Sequence, residues 1–537
     1  MKNFNRVLSC LAVSLALAAP VFAQTAQTAP AVAPHTAQPW KSIPIPPLHA
    51  FHPVEPTRID LPNGVEVFLE EDHELPFISG FARVRGGSRD VPAQKVGLTS
   101  LYGATWRTSG TAAESGDKLD DSLAAKAASI ETGGGAAATS LSWSSFASDF
   151  DGVFASAMDL LLHPKFQQQK LDLARRSTIT AILRRNDDAG EIAEREAVEI
   201  AYGKTNPYGR EAEIATVSAV TLDDLRTWHD RTVVGSNLIV GVIGDFDSKA
   251  MEQKLRAAFA PLPRGTKLVT PPIDFKEPTP GIYFANKGDV NQSNIYLVGL
   301  GTQESNPDYY ALSVMNEVFS GGFGSRVVQQ VRTKMGLAYE VGGSFGAAYD
   351  HPGLFAVFAG TKSESSVPAT KAILDEIRGL RSRPPTEAEL DRARNDLLNS
   401  FIFRYDSPEK VLNEQVTLAV YGYPADFLER YRAGVEKVTS ADVVRVAQKY
   451  VRPENLAIVV VGNAPEIQPP LDGLGKVTAL DIAIPGGRQR PAAAINGPEH
   501  SSAENDARGK LLNLQWHGYW RGCTSPRAQG AQRWHTT

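Results

Sequence analysis

Cysteine is almost absent from this chain of 537 residues, which contains only Cys10 and Cys523. Cys10 lies in an N-terminal segment that we expect to be removed, so the mature protein keeps one thiol. A chain with one thiol cannot build an internal disulfide framework. Large apolar cores must therefore stabilise the fold, and the hydrophobic content of 42% is ordinary for a globular protein of this kind.

Long apolar runs are missing beyond the N-terminal segment. There, two basic residues precede the apolar residues 7–19, and Ala23 ends a small-x-small site, a pattern typical of a secretory signal peptide over residues 1–23. The pattern predicts cleavage after Ala23 and a periplasmic or secreted protein. Cys10 stands at the start of the apolar run, which argues against a lipoprotein anchor. No later run reaches the roughly 18 apolar residues of a membrane span, so none is expected after signal removal.

The chain also lacks a basic excess and paired histidines. Its 55 Lys and Arg residues are outnumbered by 60 Asp and Glu residues, which give a formal charge of −5. A phosphate-binding face normally needs a basic surplus, so nucleic acid is not expected as a partner. None of the 10 histidines has another four residues away, which excludes a two-histidine zinc motif on one helix face. Lone histidines such as His73, His229 and His351 are more typical of hydrogen-bonded residues than of ligands.

An internal repeat is the most informative feature of what is present. The landmarks Val220, Asn237 and Gly244 each recur 218 residues later, as Val438, Asn455 and Gly462. In both copies a threonine-capped helix precedes a strand of the buried type. The repeat predicts two domains of one fold, in the α+β (α/β layered) class.

Alternating and helical patterns place elements in the first copy. Strand patterns cover residues 58–69 and 77–85. Helical patterns follow at residues 97–108, 118–128, 150–162, 167–185 and 189–202.

Composition sets the predicted boundaries. Residues 24–56 are rich in Ala and Pro, residues 263–280 are rich in Pro, and the part of the tail from Gly486 onward lacks an amphipathic period. We therefore predict a disordered tail, with an aromatic docking segment as the alternative. The predicted order is signal peptide 1–23, arm 24–56, first domain 57–262, linker 263–280, second domain 281–466 and tail 467–537.

Motifs in both halves resemble one known family. The first half contains LPNGVEV at 61–67, GGSRD at 86–90 and NPYG at 206–209, and the second contains GGFGSR at 321–326, Arg332 and GLAY at 336–339. Over residues 57–466 this set resembles the M16 zinc peptidases (pitrilysin-like and mitochondrial-processing-peptidase-like, type M16B). The resemblance implies two LuxS/M16-like domains, each an antiparallel-rich mixed sheet covered by helices, facing each other across a chamber.

The resemblance also implies that the zinc motif has been lost. Active members carry H-x-x-E-H on the helix after the Gly-Ser-Arg motif, with a distant glutamate as the third protein ligand. Placed on that motif, this sequence has Ser100 and Ala104 at the histidine positions, Gly103 at the general base and Ala181 at the distant glutamate. Serine is a poor zinc ligand, and alanine and glycine cannot ligate at all. The expectation is that this chain binds no metal or other cofactor.

The second-half motifs imply that the family's residues for stabilising the oxyanion are kept. In the family, an arginine and a tyrosine at the positions of Arg332 and Tyr339 donate hydrogen bonds to the substrate carbonyl as it becomes an oxyanion. A helix over 325–334 and a strand over 337–345 are expected to carry them. Without the resemblance, Arg332 would be read as a solvated helix residue and Tyr339 as a core residue.

Two further features of substrate binding follow from the same resemblance. Gly321, Gly322 and Gly324 would form a flexible loop near the substrate, although a plain turn before a helix is an equal reading. Residues 136–142 would form the sheet edge on which an extended peptide pairs, with Ala136 in place of the family's asparagine.

The leading hypothesis is a non-catalytic, substrate-binding subunit of a two-chain M16 zinc peptidase that acts on peptides or unfolded segments. The partner chain would supply zinc and the general base, while Arg332 and Tyr339 would act in trans. The alternative is an inert M16-like peptide-binding or scaffold protein. Hydrolysis by this chain alone is disfavoured, because the sequence shows no Ser/His/Asp arrangement and no Cys/His arrangement around its single remaining cysteine, Cys523.

Overall fold

Two mixed β-sheets organise residues 55–486, the part of the chain that this computed structural model describes. The first sheet contains the strands β1 Thr57–Asp60, β2 Glu66–Glu71, β3 Phe77–Arg85, β4 Ser129–Gly134, β5 Ala138–Phe146 and β6 Leu238–Gly244. Their order across the sheet is β1-β2-β6-β3-β5-β4. β2 and β6 run parallel, whereas β3 is antiparallel to both of its neighbours.

The second sheet repeats this arrangement. The later strands are β7 Gly281–Asn286, β8 Gln292–Leu300, β9 Thr302–Gln303, β10 Glu340–Phe345, β11 Ala347–Ala348, β12 Leu354–Lys362, β13 Ala457–Gly462 and β14 Val477–Ala479. The sheet order is β10-β12-β8-β13-β7-β14, and β9 pairs separately with β11. β13 therefore occupies the position that β6 has in the first sheet.

Helices cover both sheets and connect their strands. Those of the first half are α1 Leu98–Thr108, α2 Gly116–Ala125, α3 Phe150–Leu162, α4 Gln168–Arg184, α5 Ala189–Tyr202, α6 Ile214–Ser218, α7 Leu222–Thr232 and α8 Ser248–Phe259. Those of the second half are α9 Tyr309–Ser320, α10 Ser366–Leu380, α11 Glu387–Phe401, α12 Pro408–Tyr421, α13 Phe427–Glu436 and α14 Ser440–Tyr450. The predicted fold class, mixed sheets covered by helices, is confirmed.

The predicted repeat is visible in local hydrogen bonding. Thr221 caps α7 by accepting from the Asp224 N–H (3.2 Å), and the Asp224 carboxylate accepts from the Thr221 N–H (2.7 Å). Thr439 and Asp442 form the same reciprocal pair at the start of α14. Such capping boxes satisfy N–H groups that the helix itself leaves unpaired. The strands β6 and β13 that follow are buried along their whole length, as expected for strands covered on both faces.

One boundary predicted from composition is wrong. Residues 467–486 were assigned to a disordered tail, but β14 pairs in parallel with β7 and takes the edge position that β1 has in the first sheet. The Leu480 N–H extends this pairing by donating to the Phe284 carbonyl (2.8 Å). A strand of three residues carries too little sequence pattern to be recognised without its partner.

The two halves exchange helices. α5 of the first half packs on β8 and β13 of the second sheet, and α12 of the second half packs on β2 and β6 of the first sheet. Ile192 of α5 is fully buried in a cluster with Ala285 and Val461. Leu412 of α12 is fully buried in a cluster that includes Phe68 and Ile239.

Two arginines of β3 add polar contacts to the exchanged helix α12. Arg83 donates to the Thr417 hydroxyl (2.6 Å) and to the Asn413 side-chain oxygen (3.1 Å). Arg85 donates to the Ala419 carbonyl (3.2 Å) at the end of the helix. Cations at a helix C-terminus satisfy free carbonyls and favour the helix dipole.

The exchange of α5 and α12 bears on the chamber that the family resemblance implies between the two halves. Each sheet has one face covered by helices of its own half and part of the other face covered by a helix of the opposite half. The halves therefore pack directly on each other through α5 and α12, rather than standing apart on two sides of an open chamber.

Several predictions fall on residues outside 55–486. The signal peptide, nearly all of the arm and residues 487–537 of the tail lie there, so they stay predictions. Within the described range, no helix combines the length and the apolar character that crossing a membrane requires. Residues 263–280 form neither helix nor strand.

Candidate functional site

Helix α1 carries the positions at which the family resemblance looks for zinc chemistry. Its apolar face is core, because Leu101, Tyr102 and Trp106 are fully buried. Ser100 and Ala104 are exposed. The two positions expected to hold histidines thus lie at the surface, and neither side chain is a useful zinc ligand.

Gly103, at the position of the general base, is closed off by the neighbouring strand. A Cβ atom placed there would lie 2.7 Å from the Gly133 carbonyl carbon and from the Gly134 nitrogen. The Thr132 hydroxyl donates to the Gly103 carbonyl (2.6 Å) and accepts from the Arg107 N–H (3.2 Å). The helix backbone and β4 are in direct contact at this point, so no side chain fits at position 103.

The position of the distant glutamate offers no ligand either. Ala181 is exposed on α4, the helix that packs beside α1. Among the residues from 55 to 486, no three His, Cys, Asp or Glu side chains are grouped so as to hold a metal ion. The residues at the motif positions therefore do not fit a catalytic zinc.

The contact at Gly103 can be tested by a substitution that usually stabilises helices. Alanine in place of glycine within a helix normally adds about 0.5–1 kcal/mol of stability. Because a Cβ at 103 would collide with β4, we expect Gly103→Ala to lower the free energy of unfolding by about 1–3 kcal/mol, measured by urea denaturation. Ser100→Ala, on the exposed face of the same helix, is the control and should change little. A Gly103→Ala protein more stable than wild type would show that α1 does not touch β4 as described.

The edge strand of the first sheet is not the strand predicted to pair with a peptide. Residues 138–146 form β5, which pairs with β3 on one side and β4 on the other, so the prediction that residues 136–142 form the edge is wrong. The edge strand is β4, and α1 packs against it. Ala136 lies in the turn between β4 and β5, where its carbonyl accepts from the Arg89 N–H (3.2 Å).

The lone histidines behave as structural residues, as predicted. His229 is buried with its Nδ1 2.9 Å from the Tyr102 hydroxyl, and burial lowers its pKa to about 4. The His351 ring stacks on Tyr208 at 3.7 Å between ring centres, and burial likewise lowers its pKa to about 4. His73 lies between two carboxylates whose hydrogen bonds raise its pKa.

The glycine-rich loop at 321–324 follows α9 and is shaped by close contacts. Any side chain at Gly321 would overlap the Glu317 carboxylate, since a Cβ there would be 1.9 Å from its oxygen. Gly322 has φ +67°, in the left-handed region that favours glycine. A Cβ at Gly324 would be 3.3 Å from the Arg392 side chain. Both sides of the loop are thus packed against α9 and α11.

Hydrogen bonds hold this loop in place. The Ser325 hydroxyl donates to the Gly322 carbonyl (2.7 Å), and the Gln329 amide donates to the Phe323 carbonyl (2.7 Å). The loop directs Phe323 outward, and its side chain is 74% exposed. These contacts tie the loop to the residues that follow it, and the flexible loop that the resemblance implies stays a prediction.

Arg332 lies on a π-helix, Val328–Lys334, within the range 325–334 in which a helix was predicted. The Met335 N–H donates to the Gln330 carbonyl (3.1 Å), five residues back, which is the π pattern. Gly336 (φ +63°) ends the helix as predicted. Irregular helical turns of this type are frequent at functional sites.

Arg332 and Tyr339 are adjacent, with Arg332 half-buried and Tyr339 exposed. The guanidinium carbon of Arg332 is 5.6 Å from the centre of the Tyr339 ring. Tyr339 is 83% exposed and precedes β10, which begins at Glu340 rather than at the predicted residue 337. The alternative reading of Tyr339 as a core residue is therefore wrong. Within residues 55–486, neither the Arg332 guanidinium nor the Tyr339 hydroxyl has an ion-pair or hydrogen-bond partner, so both donors are available to a ligand.

The other arginine of the same motif is structural. Arg326 forms a two-pronged ion pair with Glu389 at 2.7 and 2.9 Å and also donates to two backbone carbonyls. Its hydrogen bonds lower the pKa of Glu389 to about 2. Arg326 thus fixes the π-helix to α11, while Arg332 remains free.

Sequence reasoning missed Phe323 as a site residue. The Arg332 guanidinium carbon is 5.2 Å from the centre of the Phe323 ring, closer than it is to Tyr339. An aromatic residue surrounded by glycines was the available signal, because glycines offer no apolar neighbours that could bury a phenylalanine.

Glu317 beneath the loop is the titratable group of this region. Burial, together with the nearby charge of Asp396 and against the opposing effect of Arg392, raises the pKa of Glu317 to about 7. A carboxyl group with a raised pKa stabilises the fold when protonated, and this contribution is lost as the pH rises through 7.

Replacing Glu317 with glutamine removes this titration. We expect the melting temperature of Glu317→Gln, relative to wild type, to be higher at pH 8 than at pH 5.5, because only the wild type must ionise a buried carboxyl. Differential scanning calorimetry at the two pH values measures the difference. Glu340→Gln, on an exposed residue of the same region, should show no such dependence. An equal shift at both pH values would mean that Glu317 is ionised throughout.

A cavity of about 720 Å³ lies elsewhere, beneath the linker. It is lined by residues of the linker (270–274 and 276–279) and by residues 200–203 and 205–207, with Arg89. The NPYG motif is part of this region, where the Asn206 amide donates to the Asp274 carbonyl (3.2 Å). Neither Arg332 nor Tyr339 lines the cavity, so it is separate from the candidate site.

Comparisons with known proteins show similarity to M16 peptidases. Residues 219–397 match the family model of the peptidase M16 inactive domain, a span that includes Arg332 and Tyr339 but not the α1 positions. The chain is 26% identical over 265 residues to an uncharacterized zinc protease of Streptomyces coelicolor. The matched region covers 48% of this chain and 57% of that protein. It is 24% identical over 407 residues to the non-peptidase homolog YmxG of Helicobacter pylori, covering 74% of this chain and 92% of that protein.

Solved structures share the fold. The crystal structure of the peptidase M16 inactive domain from Pseudomonas fluorescens superimposes with a TM-score of 0.69 at 23% identity, covering 76% of this chain and 98% of that one. A protease from Helicobacter pylori gives a TM-score of 0.67 at 18% identity. Residues 219–397 thus belong to the peptidase M16 inactive-domain family, and the chain as a whole shares the fold of these M16 relatives.

Proposed function

We propose that this protein is the non-catalytic subunit of a two-chain M16 zinc peptidase that cleaves peptides or unfolded segments. One observation carries the proposal: Arg332 and Tyr339 stand side by side with free donors, in a chain whose own zinc-motif positions cannot hold metal. A scaffold would not need to keep two unpaired donors at the surface.

Within such an enzyme, this chain would stabilise charge on the substrate. Attack of water on a peptide carbonyl places negative charge on the carbonyl oxygen. The Arg332 guanidinium and the Tyr339 hydroxyl would donate hydrogen bonds to that oxygen, which is favourable because their orientation is set before the reaction. The zinc bound by the partner would activate the water, and this chain would contribute no proton transfer.

The exposure of Tyr339, beside the half-buried Arg332, supports a second chain. Arg332 and Tyr339 lie outside the contact between the halves of this protein, so a partner must cover them to exclude water from the reaction. Relatives include proteins named as zinc proteases and a probable mitochondrial-processing peptidase subunit beta of Arabidopsis thaliana, to which this chain is 24% identical over 324 residues. The signal-peptide pattern of residues 1–23 supports a location of the proposed complex in the periplasm or outside the cell.

Reconstitution tests the proposal. The chain is purified alone and together with an exported M16 chain of the same genome that has an intact H-x-x-E-H motif. Bound zinc is measured by mass spectrometry, and cleavage of a fluorescence-quenched peptide library is followed. We expect less than stoichiometric zinc in the isolated chain, no cleavage by either chain alone, and cleavage by the mixture.

Three results would contradict it. Stoichiometric zinc with cleavage by the isolated chain would show a self-sufficient peptidase. Equal turnover by the partner with and without this chain would show that the chain is dispensable. Tight peptide binding by the isolated chain, with no gain of activity on mixing, would favour the peptide-binding or scaffold function instead.

A further inference from the structure

We infer that Phe323 is a positioning residue for Arg332 and that Phe323, Arg332 and Tyr339 form an aromatic clamp. The inference rests on the proposed function, because it assigns Phe323 a part in presenting the Arg332 guanidinium to substrate. Phe323 itself contacts Arg332 and not the reacting atoms.

The geometry of the clamp is that of cation–π contact. The Arg332 guanidinium carbon lies 5.2 Å from the Phe323 ring centre and 5.6 Å from the Tyr339 ring centre. Both distances fall inside the roughly 6 Å limit for attraction between a cation and an aromatic face. Since no carboxylate or hydrogen-bond acceptor in the described chain holds this guanidinium, the two rings are the groups that restrain it.

The position of Phe323 is set by the backbone and not by burial. Its ring is 74% exposed, so core packing does not explain where it points. Gln329 holds its carbonyl, and the left-handed Gly322 before it turns the chain. Both anchors belong to the segment that carries Arg332, so the ring and the guanidinium are fixed relative to each other.

A clamp of this kind suits an arginine that must donate. The five N–H donors of a guanidinium lie in its plane, whereas contact with an aromatic ring uses its face. An arginine held by rings therefore keeps donors for a carbonyl oxygen, which an arginine held by a carboxylate would lose. Arg326 on the same segment shows the contrast, because its donors are already used by Glu389.

Kinetics of the two-chain enzyme separate positioning from other roles. We expect Phe323→Leu to lower kcat by about two- to fivefold, the factor that corresponds to loss of one exposed cation–π contact, with KM unchanged. Phe323→Tyr and Phe323→Trp keep an aromatic face and should restore kcat. Met335→Ala removes another exposed apolar side chain near Arg332 and should leave both constants unchanged.

A double variant checks that the effect passes through Arg332. In the Arg332→Ala background, Phe323→Leu should cause no further loss of kcat, because the residue it positions is already gone. A full additional loss would overturn the inference. A rise in KM at constant kcat would also overturn it, since Phe323 would then contact substrate directly.

A second measurement keeps this inference distinct from the proposed function. In the isolated chain labelled with ¹⁵N-arginine, the Arg332 side-chain Nε–Hε resonance should be shifted by the Phe323 ring and should move in Phe323→Leu but not in Met335→Ala. If Arg332→Ala leaves turnover unchanged while this shift is present, the clamp exists and the proposed function is wrong. An Arg332 resonance identical in wild type and Phe323→Leu would show that there is no clamp.

Discussion

Replacing Arg332 with alanine is expected to lower the kcat of the reconstituted two-chain enzyme by about 100- to 1000-fold, with a much smaller change in KM. Loss of one preorganised oxyanion donor typically costs about 2.7–4 kcal/mol of transition-state stabilisation. The charge on the carbonyl oxygen is largest in the transition state, so the loss should appear mainly in kcat. Single-turnover measurements on a quenched peptide would isolate the chemical step.

The structure offers a matched control for this change. Lys334 is another exposed cation of the same π-helix, and Lys334→Ala should leave kcat within about twofold of wild type because its charge lies outside the pair. Tyr339→Phe removes the second donor while keeping the ring, and a loss of similar order is expected. If Arg332→Ala and Lys334→Ala behaved alike, the contribution of this chain would be general electrostatics and not a directed hydrogen bond.

Leu412→Ala should reduce the free energy of unfolding by about 2–5 kcal/mol, the usual cost of truncating a fully buried leucine. Leu412 belongs to the second half of the chain but is buried against Phe68 and Ile239 of the first sheet. The space left by the truncated Leu412 side chain would therefore lie at the contact between the halves. Urea denaturation followed by intrinsic fluorescence measures the loss.

The shape of the transition is the more telling result. Because α5 and α12 are exchanged, removing Leu412 should destabilise both halves together and leave one cooperative transition. Leu183→Ala, which truncates a leucine that is 46% exposed on α4, is the control and should cost little. Two separate transitions, with only one shifted in Leu412→Ala, would mean that the halves are thermodynamically independent.

Much of the fold was predictable because it depends on local pattern. The period of apolar residues predicted α3 and α5 with their observed bounds. The threonine before each repeated helix predicted a cap, and both caps form with an aspartate three residues later. These features require only residues close in sequence, so one chain is enough to recognise them.

The errors share a different physical origin. The edge strand was assigned to residues 136–142 instead of β4, since strand order depends on which segments pair and not on either segment alone. β14 was missed for the same reason. The helix around Arg332 was predicted but its π type was not, because that type is defined by hydrogen bonds five residues apart and not by residue identity.

Some features of the candidate site follow from residue identity, and others require the tertiary structure. The absence of ligands at Ser100, Ala104 and Ala181 is a matter of side-chain chemistry, which the sequence states directly. The exclusion of any side chain at Gly103 depends on the distance between α1 and β4, which the sequence does not state. The part of Phe323 in holding Arg332 was equally hidden, because it requires the loop and the π-helix to be placed together.

The sequence by itself determined that this chain is duplicated, resembles M16 peptidases and has no zinc ligand at the motif positions Ser100, Ala104 and Ala181, because duplication and ligand chemistry depend on residue identity and spacing. Only the tertiary structure decided that the halves are joined by exchanged helices and that Arg332 is left unpaired between two exposed rings. Those properties arise from contacts between residues far apart in the chain, whose geometry no local pattern encodes.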